Sequence, residues 1–113
     1  MNYLIIATKN FEVNLKRLSK KYRSLDKDYE ILIKNLLENP MLGDDLGNNT
    51  RKVRMSIASK NRGKSGGARV ITCNVLIDVK SMEIYLLTIY DKGEQESISK
   101  NEIEHLKKIN GLM

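Results

Sequence analysis

The sequence predicts an α+β domain in which an antiparallel helical hairpin packs on a small antiparallel sheet. Three observations carry this reading. Two amphipathic helical stripes follow one another between residues 11 and 37. Three β-rich runs follow between residues 52 and 90, joined by polar links. A capped amphipathic segment closes the chain. The order is β-α-α-β-β-β-α, in one domain spanning residues 1–113. Consecutive strands with short links argue for a meander, and the helical hairpin would cover one of its faces. The other face would then be free to display charge.

Residues 3–8 read as a short apolar strand. Thr8 or Asn10 can cap the helix that follows. Phe11, Leu15, Leu18 and Tyr22 recur at helical spacing and form one stripe, with Lys16, Arg17, Lys20 and Lys21 off it. Ser24 or Asp26 starts a second helix, with Tyr29, Leu32, Ile33, Leu36 and Leu37 on its buried face. Asn39-Pro40 ends that helix, because a residue before proline is pushed out of helical geometry. Residues 41–50, rich in Gly, Asn and Asp, read as a loop. Val53, Met55 and Ile57 then alternate with Lys52, Arg54 and Ser56, the two-residue period of a half-buried strand. Residues 60–67 are a polar connection with three glycines. Runs from Arg69 to Val79 and from Met82 to Tyr90 form a hairpin. Ser99, with Glu102 three residues on, is a capping box for a last helix buried through Ile103, Leu106 and Ile109.

Composition narrows the classes. The chain has 113 residues, 41% of them hydrophobic and 30% charged, which suits one globular domain with a modest core. The early apolar run Tyr3–Ala7 is too short for a signal peptide or a membrane span and has no basic leader. A single cysteine, Cys73, forms no internal disulfide and fits a reducing cytoplasm. One His and one Cys fall short of a conventional zinc site, so no metal and no cofactor are expected.

The charge is concentrated. Residues 51–70 carry seven cations (Arg51, Lys52, Arg54, Lys60, Arg62, Lys64, Arg69) and no acid. Removing those seven from the chain's 20 Lys and Arg leaves 13 against 14 Asp and Glu. The whole net charge of +6 therefore comes from one segment, which marks where a polyanion would dock. Lys52 and Arg54 would emerge from one sheet face about 7 Å apart, near the spacing of successive phosphates. They could equally form a solvated face with acidic neighbours. Arg69 can fork onto a phosphate or bridge to Glu94 or Asp91.

Other candidates weigh less. Residues 58–65 fit a relaxed phosphate-loop pattern, but no helix follows Lys64-Ser65, so nucleotide hydrolysis is discarded. Lys92 sits at the end of the last strand, as a proton-transfer group or as an exposed turn lysine. His105 reads as a boundary residue, and Tyr85 and Tyr90 as packing residues. No aromatic interleaves the basic window, which argues against a generic single-strand binder.

A family resemblance emerges from these elements. Asn39-Pro40-x-x-Gly43, Arg51-Lys52-x-Arg54 and Gly63-Lys64-Ser65-Gly66-Gly67-Ala68-Arg69-Val70-Ile71 precede Ile84–Asp91, Lys92-x-Glu94 and Ile98-Ser99. Together, over about residues 10–109, they resemble the RelE/ParE toxin superfamily, closest to its RelE and HigB-like branch. The resemblance implies the toxin of a type II toxin–antitoxin pair, acting as a ribosome-dependent, metal-independent endoribonuclease on mRNA. It implies a cognate antitoxin, the ribosome with its rRNA, and mRNA as partners, without a membrane. By position, Lys52, Arg54 and Arg69 resemble the family's basic catalytic cluster. Lys92 resembles the basic residue at the end of its last strand. The chain departs from members that carry a Tyr in or near the last helix, since none follows Asp91. Only His105 is available there; proton transfer is expected of Lys52 or Lys92, because a lysine crowded by other cations gives up its proton more readily. Arg51, Lys60, Arg62 and Lys64 would hold nucleic-acid backbone. The alternatives are a ParE-like gyrase poison and a non-catalytic basic RNA-binding module.

Overall fold

The computed structural model describes residues 1–60 and 66–113. Among these, five strands and three helices occur in the order β1 (Asn2–Ala7), α1 (Lys9–Lys21), α2 (Leu25–Glu38), β2 (Asp44–Gly47), β3 (Thr50–Met55), β4 (Ala68–Asp78), β5 (Ser81–Asp91) and α3 (Lys100–Ile109). The strands form one sheet in the order β1-β5-β4-β3-β2. Strands β2 to β5 are an antiparallel meander, and β1 joins the edge parallel to β5. The α+β architecture expected from the sequence is present, with a parallel edge and one additional strand.

That additional strand lies where a loop was expected. Residues 44–47 are all exposed, and their polar composition carries no core-facing alternation. What makes them a strand is the turn that follows. Asn48 and Asn49 take φ of 52° and 61°, and Gly47 pairs with Thr50 across them. Two left-handed residues in succession make the tight turn whose twist matches a hairpin. Asparagine tolerates that geometry because its short side chain can bond locally.

Each helix is fastened at its start. Thr8 accepts from the Phe11 amide at 3.3 Å and donates to the Leu86 carbonyl at 2.8 Å, so the cap of α1 is also tied to β5. The Ser99 hydroxyl caps α3 by accepting from the Glu102 amide at 3.1 Å. Ser24 does otherwise. Its hydroxyl donates to the buried Asp28 carboxylate, which takes the Ala58 amide, and this ties α2 to the segment after β3.

The two helices cross the same sheet face, as their stripes require. Phe11, Leu18, Leu25, Leu32 and Leu36 pack against Val53, Met55, Val70, Ile84, Leu86 and Ile89. The opposite face is not free along its whole length, contrary to the sequence-based expectation. There α3 lays Ile103 and Leu106 on Ile71, Cys73 and Leu87. Helix α3 also inserts Lys107, which is buried and donates to the Asn48 carbonyl at 2.9 Å and to Thr50 Oγ1 at 3.0 Å. Helix α3 reaches the edge of the cation-bearing part of this face, where Lys52 lines a pocket with Lys100, Ile103, Glu104 and Lys107.

Candidate functional site: a basic cleft

Register decides which cations meet. Along β3, Val53 and Met55 enter the hairpin-side core, so Lys52 and Arg54 project from the other face. Arg54 stands directly opposite Arg69 on β4, and Arg69 opposite Tyr90 on β5. The chain leaves β5 through Lys92, whose amide donates to the Gly67 carbonyl at 3.0 Å, stitching the end of β5 to the start of β4. Asp44 on β2 pairs opposite Lys52. Asp44, Lys52, Arg54, Arg69 and Lys92 thus line one cleft of about 160 Å³.

The four cations differ in how tightly they are held. Arg69 is buried, and its Nη1 donates to the Gly66 carbonyl at 3.0 Å and the Ala68 carbonyl at 3.2 Å. Those bonds fix the guanidinium plane, and among the described residues nothing else takes its remaining N–H groups, which suit a ligand. Arg54 is exposed and Lys52 half-buried, and among the described residues neither side chain has a hydrogen-bond or ion-pair partner. Lys92 reaches the exposed Glu96 at 3.3 Å, a surface pair of small energetic weight.

Arg69 makes neither of the bridges considered for it. Asp91 and Glu94 serve the other side of the sheet, where they tie α1 down. The buried Asp91 carboxylate takes the Tyr22 hydroxyl, Lys60 Nζ at 2.9 Å and the Gly93 amide at 2.8 Å, with Lys21 Nζ at 3.5 Å. Burial works to raise its pKa, but the Tyr22, Lys60 and Gly93 bonds outweigh it and hold the carboxyl at about 2. Glu94 is lowered by its bonds to Lys21 and then Arg17. The Tyr22 phenol is raised, first by burial and then by donating to Asp91.

The residues expected to hold nucleic-acid backbone fare differently. Lys60 is bound to Asp91, on the hairpin side of the sheet. Arg51 points to that same side, donating to the Leu42 and Gly43 carbonyls at 3.3 and 2.9 Å. Arg62 and Lys64 lie outside the described residues, as does much of the phosphate-loop look-alike. His105 is exposed on α3 and is not among the residues lining the basic cleft. Tyr90 is buried beside Arg69, and its phenol is raised, first by burial, with the Arg69 charge opposing.

Sequence reasoning passed over Asp44 because residues 41–50 read as a loop. The signal was the Asn48-Asn49 pair, since a two-residue turn there folds the chain back along β3; the bulge between Asp45 and Gly47 then sets Asp44 opposite Lys52.

A cleft of fixed and free cations on a rigid sheet can bind a phosphate and neutralise charge that develops on it. Among the described residues no helix is long and apolar enough to cross a membrane. Comparison with protein-family models matches residues 5–113 to the family described as the RelE toxin of the RelE / RelB toxin-antitoxin system.

Proposed function

The chain belongs to the RelE toxin family, and from that premise we propose that it arrests translation by cutting mRNA on the ribosome. Membership makes it the toxin of a toxin–antitoxin pair with a cognate antitoxin. The observation that carries the finer reading is the meeting of Lys52, Arg54, Arg69 and Lys92 in one cleft.

The chemistry follows from the charges. Cleavage of RNA by its own 2′-hydroxyl passes through a pentacoordinate phosphorane bearing extra negative charge. Arg69, fixed by two backbone carbonyls, and Arg54, free to move onto the ligand, neutralise that charge where it develops. The forked guanidinium fits two phosphate oxygens at once, which a lysine cannot do. Lys52 and Lys92 line the same cleft, and either ammonium would donate a proton to the leaving 5′-oxygen. The ribosome would supply the positioned mRNA, and the cationic surface would hold rRNA and mRNA backbone through a salt-sensitive term.

A translating extract tests this. The protein should cut mRNA only when ribosomes are present, without added metal, leaving a 2′,3′-cyclic phosphate and a 5′-hydroxyl. Intact mRNA together with gyrase trapped on cleaved DNA would replace this reading with gyrase poisoning. RNA binding without either event would leave a passive module.

A further inference from the structure

We propose that Asp44 is the general base of this site, taking the proton from the attacking 2′-hydroxyl. The inference rests on the mRNA-cleavage reading and names the one reactant that the cations cannot supply. Protonated lysines and arginines are donors only, whereas an ionised carboxylate is an acceptor only. Of the described side chains lining the cleft, Asp44 alone can accept a proton without first losing one.

The fold places this carboxylate with some care. Asp44 sits opposite Lys52 in the β2–β3 ladder, so both side chains stand on the cleft face. No cation lies within ion-pair distance of Asp44 among the described residues, although four line the same cleft. Its neighbour Asp45 is spent differently. The Asp45 carboxylate accepts from the Gly47 amide at 2.8 Å and approaches Arg51 at 4.0 Å on the hairpin side. Just before Asp44 the backbone is clamped. Arg51 grips the carbonyls of Leu42 and Gly43. Gly43 takes φ of +95°, and a Cβ there would sit 2.5 Å from the Lys52 carbonyl oxygen. Only glycine lets β2 approach β3 this closely.

The step balances without a co-reactant. The 2′-hydroxyl proton passes to an Asp44 carboxylate oxygen as the 2′-oxygen bonds to phosphorus. The bond from phosphorus to the 5′-oxygen breaks, and that oxygen takes a proton from the Lys92 ammonium. The proton on Asp44 then returns to Lys92 through solvent, restoring both groups. The products are a 2′,3′-cyclic phosphate and a 5′-hydroxyl.

Four variants test the assignment on programmed ribosomes under single-turnover conditions. Asp44→Asn should melt as wild type and bind ribosomes at least as well, yet cut about a hundredfold or more slowly. Asp44→Glu should recover part of that loss, and Asp45→Asn, which removes an equal charge on the other face, should cut normally. An mRNA with sulfur replacing the bridging 5′-oxygen at the mapped cut site needs no proton on its leaving group. It should rescue Lys92→Gln and not Asp44→Asn. Cutting by Asp44→Asn at the wild-type rate, or its rescue by the sulfur substrate, overturns the assignment. Failure of the wild type to cut any mRNA instead removes the cleavage reading, and Asp44 falls with it.

Discussion

Arg54 and Arg69 stand directly opposite each other across β3 and β4, two guanidinium-bearing side chains with no carboxylate paired to either among the described residues. Like charges so placed work against the ladder. A sheet built for stability alone would put an acid at one of the two positions.

Replacing the exposed member relieves that repulsion. Arg54→Gln should leave the fold intact and raise stability slightly, by about 0.2–1 kcal/mol. The same variant should lose about a hundredfold in cleavage, because a charge-stabilising donor has gone. Chemical denaturation and a ribosome cleavage assay on one preparation check both signs. Arg69 is the poorer choice for this test. It is buried, and its removal would strand the Gly66 and Ala68 carbonyls, so the fold would suffer too.

Acid should weaken the fold through Asp91. Its carboxyl titrates at about 2 in the folded chain, below the ordinary 3.8, so the charged form favours the native state. That contribution is complete above about pH 4 and is lost as the pH falls toward 2. Its size is roughly 2 kcal/mol. Denaturation measured from pH 6 to pH 2.5 should show this decline, and Asp91→Asn should flatten it while lowering stability at pH 6.

Gly67 fixes where the site begins. It takes φ of +72°, and a Cβ there would lie 2.7 Å from the Met55 carbonyl oxygen. Its own carbonyl accepts the Lys92 amide. Gly67→Ala should therefore cost about 1–3 kcal/mol and shift Arg69 and Lys92 apart. Thermal unfolding reads the first effect and the cleavage rate the second.

Lys107 pins α3 over Cys73. The Cys73 thiol is raised by burial, with the Lys107 charge opposing, so it should resist alkylation in the native chain. Lys107→Met removes the donor to Asn48 and Thr50 and should cost about 1–3 kcal/mol. Alkylation of Cys73 should become faster in that variant, as followed by mass spectrometry.

Much of this was legible in the chain. The stripe Phe11, Leu15, Leu18, Tyr22 and the alternation around Val53 fix which faces are buried, and that alone sends Lys52 and Arg54 to one side. What the sequence could not show depends on register and on neighbours distant in the chain. Whether Arg69 meets Arg54 or Asp91 turns on which strand pairs beside β4 and on α1 capturing Asp91 through Tyr22. Lys60 and Arg51 read as phosphate ligands because their partners, Asp91 and the Leu42 and Gly43 carbonyls, have no local signature. Strand β2 was hidden because an exposed edge strand needs no apolar face.

The most direct test of the central claim uses purified ribosomes stalled with an open A site on a defined mRNA. Wild-type protein should cut that mRNA in the A site, with no metal beyond the magnesium that holds the ribosome together, and leave a 2′,3′-cyclic phosphate. Arg54→Gln should bind the same ribosomes and cut at about a hundredth of the rate. Uncut mRNA with the wild type, or equal cutting by wild type and Arg54→Gln, would contradict the account.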